Sequence, residues 1–117
     1  MVAPFRVGAP VPEREWVAIT SGAFEDDKPR WSPDGRFVYF TSLRDGFRCL
    51  WSQRVEPASK RPAGAAVPLQ HFHEARLSMM NIDLGEFELS AGRDKLVFTL
   101  AERTGNIWMS GRQARRR

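Results

Sequence analysis

The residues with the clearest potential for chemistry are His71 and His73, in the segment His71-Phe72-His73-Glu74. Side chains two positions apart on a β-strand point to the same side, so both imidazoles can reach one metal ion, whereas Glu74 points to the other side. A zinc site also needs a third protein ligand. The chain has no other histidine, and no cysteine lies nearby in sequence. The alternative interpretation is two histidines on an outer strand, with Phe72 turned into the sheet.

A second group with ligand chemistry is the acidic run Glu25-Asp26-Asp27. Clustered carboxylates supply the oxygen atoms that Ca²⁺ prefers, and they can also receive a basic segment of a partner. The alternative is a solvated turn in which the aspartates accept hydrogen bonds from nearby backbone N–H groups. We keep Glu25, Asp26 and Asp27 as candidate cation ligands.

The sequence carries no recognisable catalytic motif. Its single cysteine, Cys49, excludes an internal disulfide and lies beside Leu50 and Trp51, as a small core residue does. No serine lies in a Gly-x-Ser-x-Gly elbow, and neither a phosphate-binding loop nor a dinucleotide fingerprint is present. The sequence therefore predicts no enzymatic activity and no cofactor.

Composition indicates one small globular domain. The chain has 117 residues, of which 42% are hydrophobic and 11% aromatic, a share typical of packed sheets. It has no apolar run long enough for a membrane span and no signal peptide, so a cytoplasmic and a periplasmic location both stay open. The net charge of +4 comes from four arginines in the last six residues. We therefore expect a basic tail at 111–117 and no nucleic-acid binding.

An internal repeat organises the chain. Residues 31–41 and 89–99 share a serine, a closing Phe-Thr pair and the apolar pattern between them, at an offset of 58. Turn signals separate the apolar runs, because Pro presets φ, Asp hydrogen-bonds to its own backbone and Gly tolerates positive φ. The predicted turn residues are Pro33, Asp34, Gly35, Asp45, Gly46 and Gly105.

These signals predict eight β-strands and little helix. Runs of β-branched and aromatic residues between the turns give the positions of the strands. A short helical turn is one interpretation of residues 76–84, where Leu77, Met80 and Leu84 have helical spacing. We expect strands at 15–20, 29–32, 36–42, 48–55, 67–73, 86–90, 95–101 and 106–109.

The motif Trp31-Ser32-Pro33-Asp34-Gly35-Arg36, followed by Tyr39-Phe40-Thr41-Ser42-Leu43-Arg44-Asp45-Gly46, resembles the repeat of TolB-like β-propellers. The resemblance covers about residues 14–110. In the second copy the turn departs from the motif and reads Ser90-Ala91-Gly92-Arg93-Asp94.

The resemblance implies an all-β fold of antiparallel four-stranded propeller blades, with about two blades in this chain. Each blade runs from an inner to an outer strand, and the last blade lacks its outer strand. Residues 1–13 resemble the end of a hairpin from a preceding blade, or a disordered lead. The Arg-rich end resembles the end of a propeller, where an N-terminal strand commonly completes the last blade.

The resemblance further implies a non-enzymatic binding or scaffolding module, belonging to the C-terminal part of a larger bacterial signalling or periplasmic protein. The expected partner is another protein or the remaining blades. Because two blades leave apolar sheet faces uncovered, we expect the isolated chain to self-associate. Two alternatives stay open: an accessory propeller of a prolyl-oligopeptidase-type peptidase, and a lectin-like ring assembled from two-blade chains.

Overall fold

The computed structural model describes residues 1–111 and is all-β, with antiparallel strands and two single-turn 3₁₀ helices at Glu13–Glu15 and Met79–Asn81. The described strands form three sheets, and none of them closes on itself. In chain order the strands are β1 (Asp26–Trp31), β2 (Phe37–Ser42), β3 (Cys49–Arg54), β4 (Val67–Gln70), β5 (Leu77–Ser78), β6 (Leu89–Ala91), β7 (Leu96–Phe98) and β8 (Ala101–Glu102).

The largest sheet has four strands in the order β1-β2-β3-β4, each antiparallel to its neighbour. Because side chains alternate across a strand, its apolar residues divide between two faces. One face, here called face A, carries Val38, Phe40, Cys49 and Trp51. The opposite face, face B, carries Tyr39 and Leu50.

The second unit comprises β5 to β8 and packs on face B. It has two two-stranded sheets, β5 with β8 and β6 with β7. Leu50 of face B shares a buried cluster with Met79, Phe87 and Leu89 of the second unit. The strands β1 and β6 also lie side by side. Burial of these apolar side chains joins the second unit to the first sheet.

The turn between β1 and β2 is closed by polar side chains, as its motif predicts. The Ser32 hydroxyl donates to Asp34 Oδ1 at 2.6 Å and accepts from the Phe37 N–H at 3.0 Å. Asp34 Oδ1 also accepts from the Arg36 N–H at 3.0 Å. Gly35 has a φ of +69°, a left-handed conformation that glycine adopts without strain. The predicted turn at Pro33, Asp34 and Gly35 is thus confirmed.

The sequence located the strands of the first sheet well and several others poorly. The hairpin turn at Asp45 and Gly46 is present, with φ of +87° at Gly46. The predicted strand at 15–20 is wrong, since only Val17 pairs there, in an isolated bridge with Val2. That bridge is also the one strand-like pairing within the predicted lead at 1–13.

The end of the described chain also differs from expectation. The predicted strand at 106–109 and the turn at Gly105 are absent, and this segment is exposed and irregular. Instead, β8 pairs with β5, a pairing the sequence did not predict. The strand predicted at 67–73 ends at Gln70, and the helical turn expected within 76–84 is present at Met79–Asn81. The basic tail at 111–117 lies, apart from Gly111, outside the described residues.

No helix in residues 1–111 has both the length and the apolar character that crossing a membrane requires.

Candidate functional site

Four side chains of types that can ligate a metal ion converge at one end of the first sheet: Asp45, Cys49, His71 and His73. Asp45 lies in the turn between β2 and β3, and Cys49 begins β3. The antiparallel pairing of β3 with β4 sets Leu50 opposite Gln70, so the chain leaving β4 passes beside Cys49. One donor atom from each of the four residues lies within 4.8 Å of every other.

Both histidines contact the same carboxylate oxygen. His71 Nδ1 lies 2.8 Å and His73 Nε2 lies 2.9 Å from Asp45 Oδ2. The two imidazoles therefore point to the same side, although β4 ends before them. Phe72 turns to the opposite side, where its ring packs edge-on against Phe98 at 5.5 Å. This alternation keeps the two histidines together, while the partly buried Phe72 packs against the buried cluster of face B.

The hydrogen bonds at Asp45 favour its ionised form. Burial is the largest single influence on the pKa of Asp45 and acts to raise it. The hydrogen bonds from His73, the Phe47 N–H and His71 together outweigh burial and hold the pKa below its usual value. Asp45 is thus a carboxylate at neutral pH, the form that binds a cation.

Cys49 is fully buried at the floor of this cluster. Burial raises the pKa of the Cys49 thiol, and the nearby Asp45 carboxylate adds to the increase. The Phe72 N–H acts in the opposite direction, since it donates to Sγ at 3.3 Å. Without a cation the thiol is therefore protonated at neutral pH, and it is a poor nucleophile in that form.

Aromatic side chains hold the imidazole rings. The His73 ring stacks on Phe47 with ring centroids 4.6 Å apart. The His71 ring lies edge-on to the Trp51 ring with their centroids 6.1 Å apart. The centroids of the two imidazole rings are 4.7 Å apart. The outer sides remain open, since the side chains of His71 and His73 are 47% and 46% exposed. An ion therefore has direct access from solvent.

The acidic run Glu25-Asp26-Asp27 is arranged differently, because arginines neutralise two of its three carboxylates. Glu25 pairs with Arg48, and Asp26 Oδ1 lies 3.0 Å from the Arg44 guanidinium. Asp27 accepts from the backbone N–H of the next residue at 2.6 Å. The three carboxylates thus have three separate partners, although Asp26 Oδ2 is buried without a hydrogen-bond partner. The three do not gather their oxygen atoms around one shared point.

A cleft of about 310 Å³ opens on face A, next to β1. The apolar residues lining it include Ile19, Trp31, Val38 and Phe40. The N-terminal segment covers part of this face through Val2 and Ile19. Trp31 and the nearby Phe24 nevertheless keep close to half of their surface exposed. Face A is therefore apolar but incompletely covered.

The sequence identified the two histidines but not their companions Asp45 and Cys49. The sequence predicts a turn at Asp45 and a core position for Cys49, and both residues have those roles as well. Placing Asp45 and Cys49 beside the histidines requires knowledge of how the strands pair. In an antiparallel hairpin the end of one strand lies beside the start of its partner, so a strand ending near 73 faces one starting near 48. Glu74, beside His73, is outside the cluster.

Comparison with known proteins gives one short similarity. No protein-family profile matches the chain, and no solved structure matches it. The chain is similar to the uncharacterized protein Atu1656 of Agrobacterium fabrum (strain C58 / ATCC 33970), with 44% identity over 41 residues. The aligned segment is 35% of this chain and 14% of that protein, so the match spans a small part of the relative. It assigns neither a family nor an activity.

Proposed function

We propose that this chain is a non-enzymatic binding and scaffolding module, part of a TolB-like β-propeller in a larger bacterial protein, whose apolar sheet faces are contacted by further blades or by a protein partner. The observation that carries the proposal is the side-by-side arrangement of the two repeat copies. The first strand of each copy, β1 and β6, lies next to the other.

This arrangement is the one that neighbouring propeller blades need. Blades pack face to face around an axis, with their inner strands closest to it. Here face B of the first sheet packs on the second unit through Leu50, Phe87 and Leu89. At the inner strands Arg30 lies 3.7 Å from Glu88, an exposed contact that contributes little energy but marks their proximity.

Face A then corresponds to the surface that a preceding blade covers. Its Val38, Phe40 and Trp51 are already buried within this chain, but Trp31 in the adjoining cleft and Phe24 stay 41% and 48% exposed. Apolar surface of this kind gains free energy when another protein surface removes it from water. The similarity to a small part of Atu1656 also agrees with a segment that occurs within longer proteins.

The test is the mass of the isolated chain, measured by light scattering behind a sizing column over a dilution series. We expect association that depends on concentration, without one closed stoichiometry. Trp31→Ser should weaken this association because it removes apolar surface from the cleft. Met80→Ser is the matched control, since Met80 is exposed in the Met79–Asn81 turn, outside every sheet.

A stable ring of fixed stoichiometry that resists dilution would contradict the proposal and favour the self-assembling ring. Equal association of the Trp31→Ser and Met80→Ser variants would contradict the role of face A. The coding sequence around this segment gives an independent check. Further repeats of the Ser-Pro-Asp-Gly type in the same reading frame are expected, and their absence would contradict a larger propeller.

A further inference from the structure

The cluster of Asp45, Cys49, His71 and His73 has the composition of a zinc site. It offers two imidazole nitrogens, one thiol sulfur and one carboxylate oxygen, all within 4.8 Å of one another. Zn²⁺ is bound by these three donor types, most often four at a time in a tetrahedron. Ca²⁺ and Mg²⁺ instead require oxygen ligands, of which this cluster has too few.

The distances require only small movements of side chains. Zinc lies about 2.0–2.3 Å from such ligands, so tetrahedral donor atoms are roughly 3.3–3.7 Å apart. The imidazole nitrogens are closer than this to Asp45 Oδ2, at 2.8 and 2.9 Å. All four donor atoms lie within 4.8 Å of one another, so the widest pair must approach by about 1 Å to reach tetrahedral spacing. An ion at the centre would replace the two hydrogen bonds and draw the remaining donors inward.

The surrounding contacts indicate a preorganised site rather than an incidental cluster of surface side chains. Cys49 is fully buried and fixed in β3, and Asp45 is held in the adjacent turn by the N–H of Phe47. Stacking on Phe47 restricts the ring of His73. Donors that are already oriented lose less conformational freedom when the ion binds.

The position of the cluster indicates what an ion would do. Asp45 and Cys49 belong to the β2–β3 hairpin, whereas His71 and His73 belong to the segment leading from β4 to the second unit. An ion bound by all four would fasten this segment to the first sheet. Four protein ligands also leave no open position for substrate, which is the pattern of structural rather than catalytic zinc.

We propose that Asp45, Cys49, His71 and His73 form a structural Zn²⁺ site that fastens the segment after β4 to the turn between β2 and β3. The site depends on the pairing of β3 with β4 and on no feature of a complete propeller.

The test uses the full chain without an affinity tag, because a polyhistidine tag binds the same metals. Zn²⁺ is added to metal-free, reduced protein and its binding is followed by calorimetry. We expect one ion per chain and a rise in Tm of about 5 °C or more at saturation. Ca²⁺ at the same concentration should neither bind nor shift Tm. The absence of Zn²⁺ binding would overturn the proposal.

Co²⁺ tests the ligand set directly, because its absorption spectrum reports coordination. We expect the intense visible bands of tetrahedral Co²⁺ together with a thiolate-to-metal charge-transfer band, since Cys49 must lose its proton to bind. Weak octahedral bands, or a spectrum without the thiolate band, would overturn the four-ligand site.

Variants separate the site from general effects on folding. His73→Gln removes an exposed ligand and should weaken Zn²⁺ affinity at least tenfold. Cys49→Ala should abolish the charge-transfer band, but it also removes a buried core side chain, so its effect on stability does not report on the metal site alone. Glu74→Gln is the matched control, because Glu74 is an exposed carboxylate adjacent to His73 and outside the cluster. Equal Zn²⁺ affinity of the His73→Gln and Glu74→Gln variants would overturn the proposal.

Discussion

The hairpin of β1 and β2 and the hairpin of β6 and β7 carry the same repeat, yet their strands pair in different registers. In the first hairpin Trp31 lies opposite Val38, and a four-residue turn follows Ser32. In the second, Leu89 lies opposite Phe98, and Gly92 donates to the Lys95 carbonyl at 2.8 Å across a two-residue turn. Relative to the repeat, the second pairing has shifted by two residues.

Turn chemistry accounts for the difference. The first turn has Pro at the position that presets φ, Asp34 to accept two hydrogen bonds and Gly35 with positive φ. The second turn lacks the Pro-Asp-Gly sequence, so nothing fixes a four-residue loop, and pairing extends to Ala91 and Leu96. A shift of two residues keeps each side chain on its original face, which is why the core tolerates it.

The two units differ more in what surrounds them than in their residues. Trp51 lies 20 residues after the start of the first repeat copy, and Trp108 lies 19 residues after the start of the second, so the two correspond closely. Yet Trp51 is 9% exposed and Trp108 is 90% exposed. Trp51 lies in β3, paired with β2 and β4, whereas Trp108 follows β8 without a strand partner in the described chain. The same residue type at the same repeat position is thus a core residue only where neighbouring strands complete the sheet.

The largest expected effect contrasts these two tryptophans. Trp51→Ala should lower the free energy of unfolding by about 3–5 kcal/mol, because it leaves a cavity in the core of face A. Trp108→Ala should change it by less than about 0.5 kcal/mol, as for other exposed positions. Urea unfolding at low protein concentration measures both. A loss of similar size in the two variants would contradict the difference in packing.

A second contrast uses the glycines of the two turns. Gly35→Ala should lower the free energy of unfolding by about 1–2 kcal/mol, because an alanine at a φ of +69° is strained. Gly92→Ala should cost less. Its φ lies outside the left-handed region, and an added Cβ would meet the Lys95 carbonyl oxygen at 3.5 Å, an ordinary contact. If both variants lost the same free energy of unfolding in urea, the prediction that only the first turn needs glycine for its positive φ would be contradicted.

The sequence predicted the first sheet better than the second unit for a physical reason. Residues 37–42 and 49–54 are runs of strand-forming residues bounded by explicit turn signals, so local preferences and the final fold agree. The pairing of β5 with β8 joins residues far apart in sequence, and no local pattern specifies it. The segment at 106–109 has the residues of a strand, but it has no strand partner among residues 1–111.

The candidate metal cluster shows the same division between local and distant information. The spacing of His71 and His73 is local, and it correctly predicted that both side chains point to one side. The approach of Asp45 and Cys49 depends on the register of β3 and β4. Sequence reasoning gave two of the four donors because the others are brought in by tertiary structure.

The smallest expected effect is a pH dependence that belongs to the first turn alone. Hydrogen bonds from the Ser32 hydroxyl and the Arg36 N–H lower the pKa of Asp34 below its ordinary value of 3.8. A carboxyl whose pKa is lower in the folded state stabilises the fold above the unfolded pKa. That contribution is lost as the pH falls through the folded value. Asp34→Asn should therefore be less stable than the parent near neutral pH.

Urea unfolding at about pH 6 and about pH 3 tests this, because the difference between parent and Asp34→Asn should shrink at the lower pH. The comparison cancels the other carboxyls that titrate in this range, since both proteins share them. Asp94→Asn is the matched control, because Asp94 lies in the second turn and accepts no hydrogen bond within residues 1–111. A stability difference for Asp34→Asn that is the same at both pH values would mean that the hydrogen bonds of Asp34, rather than its charge, distinguish the first turn from the second.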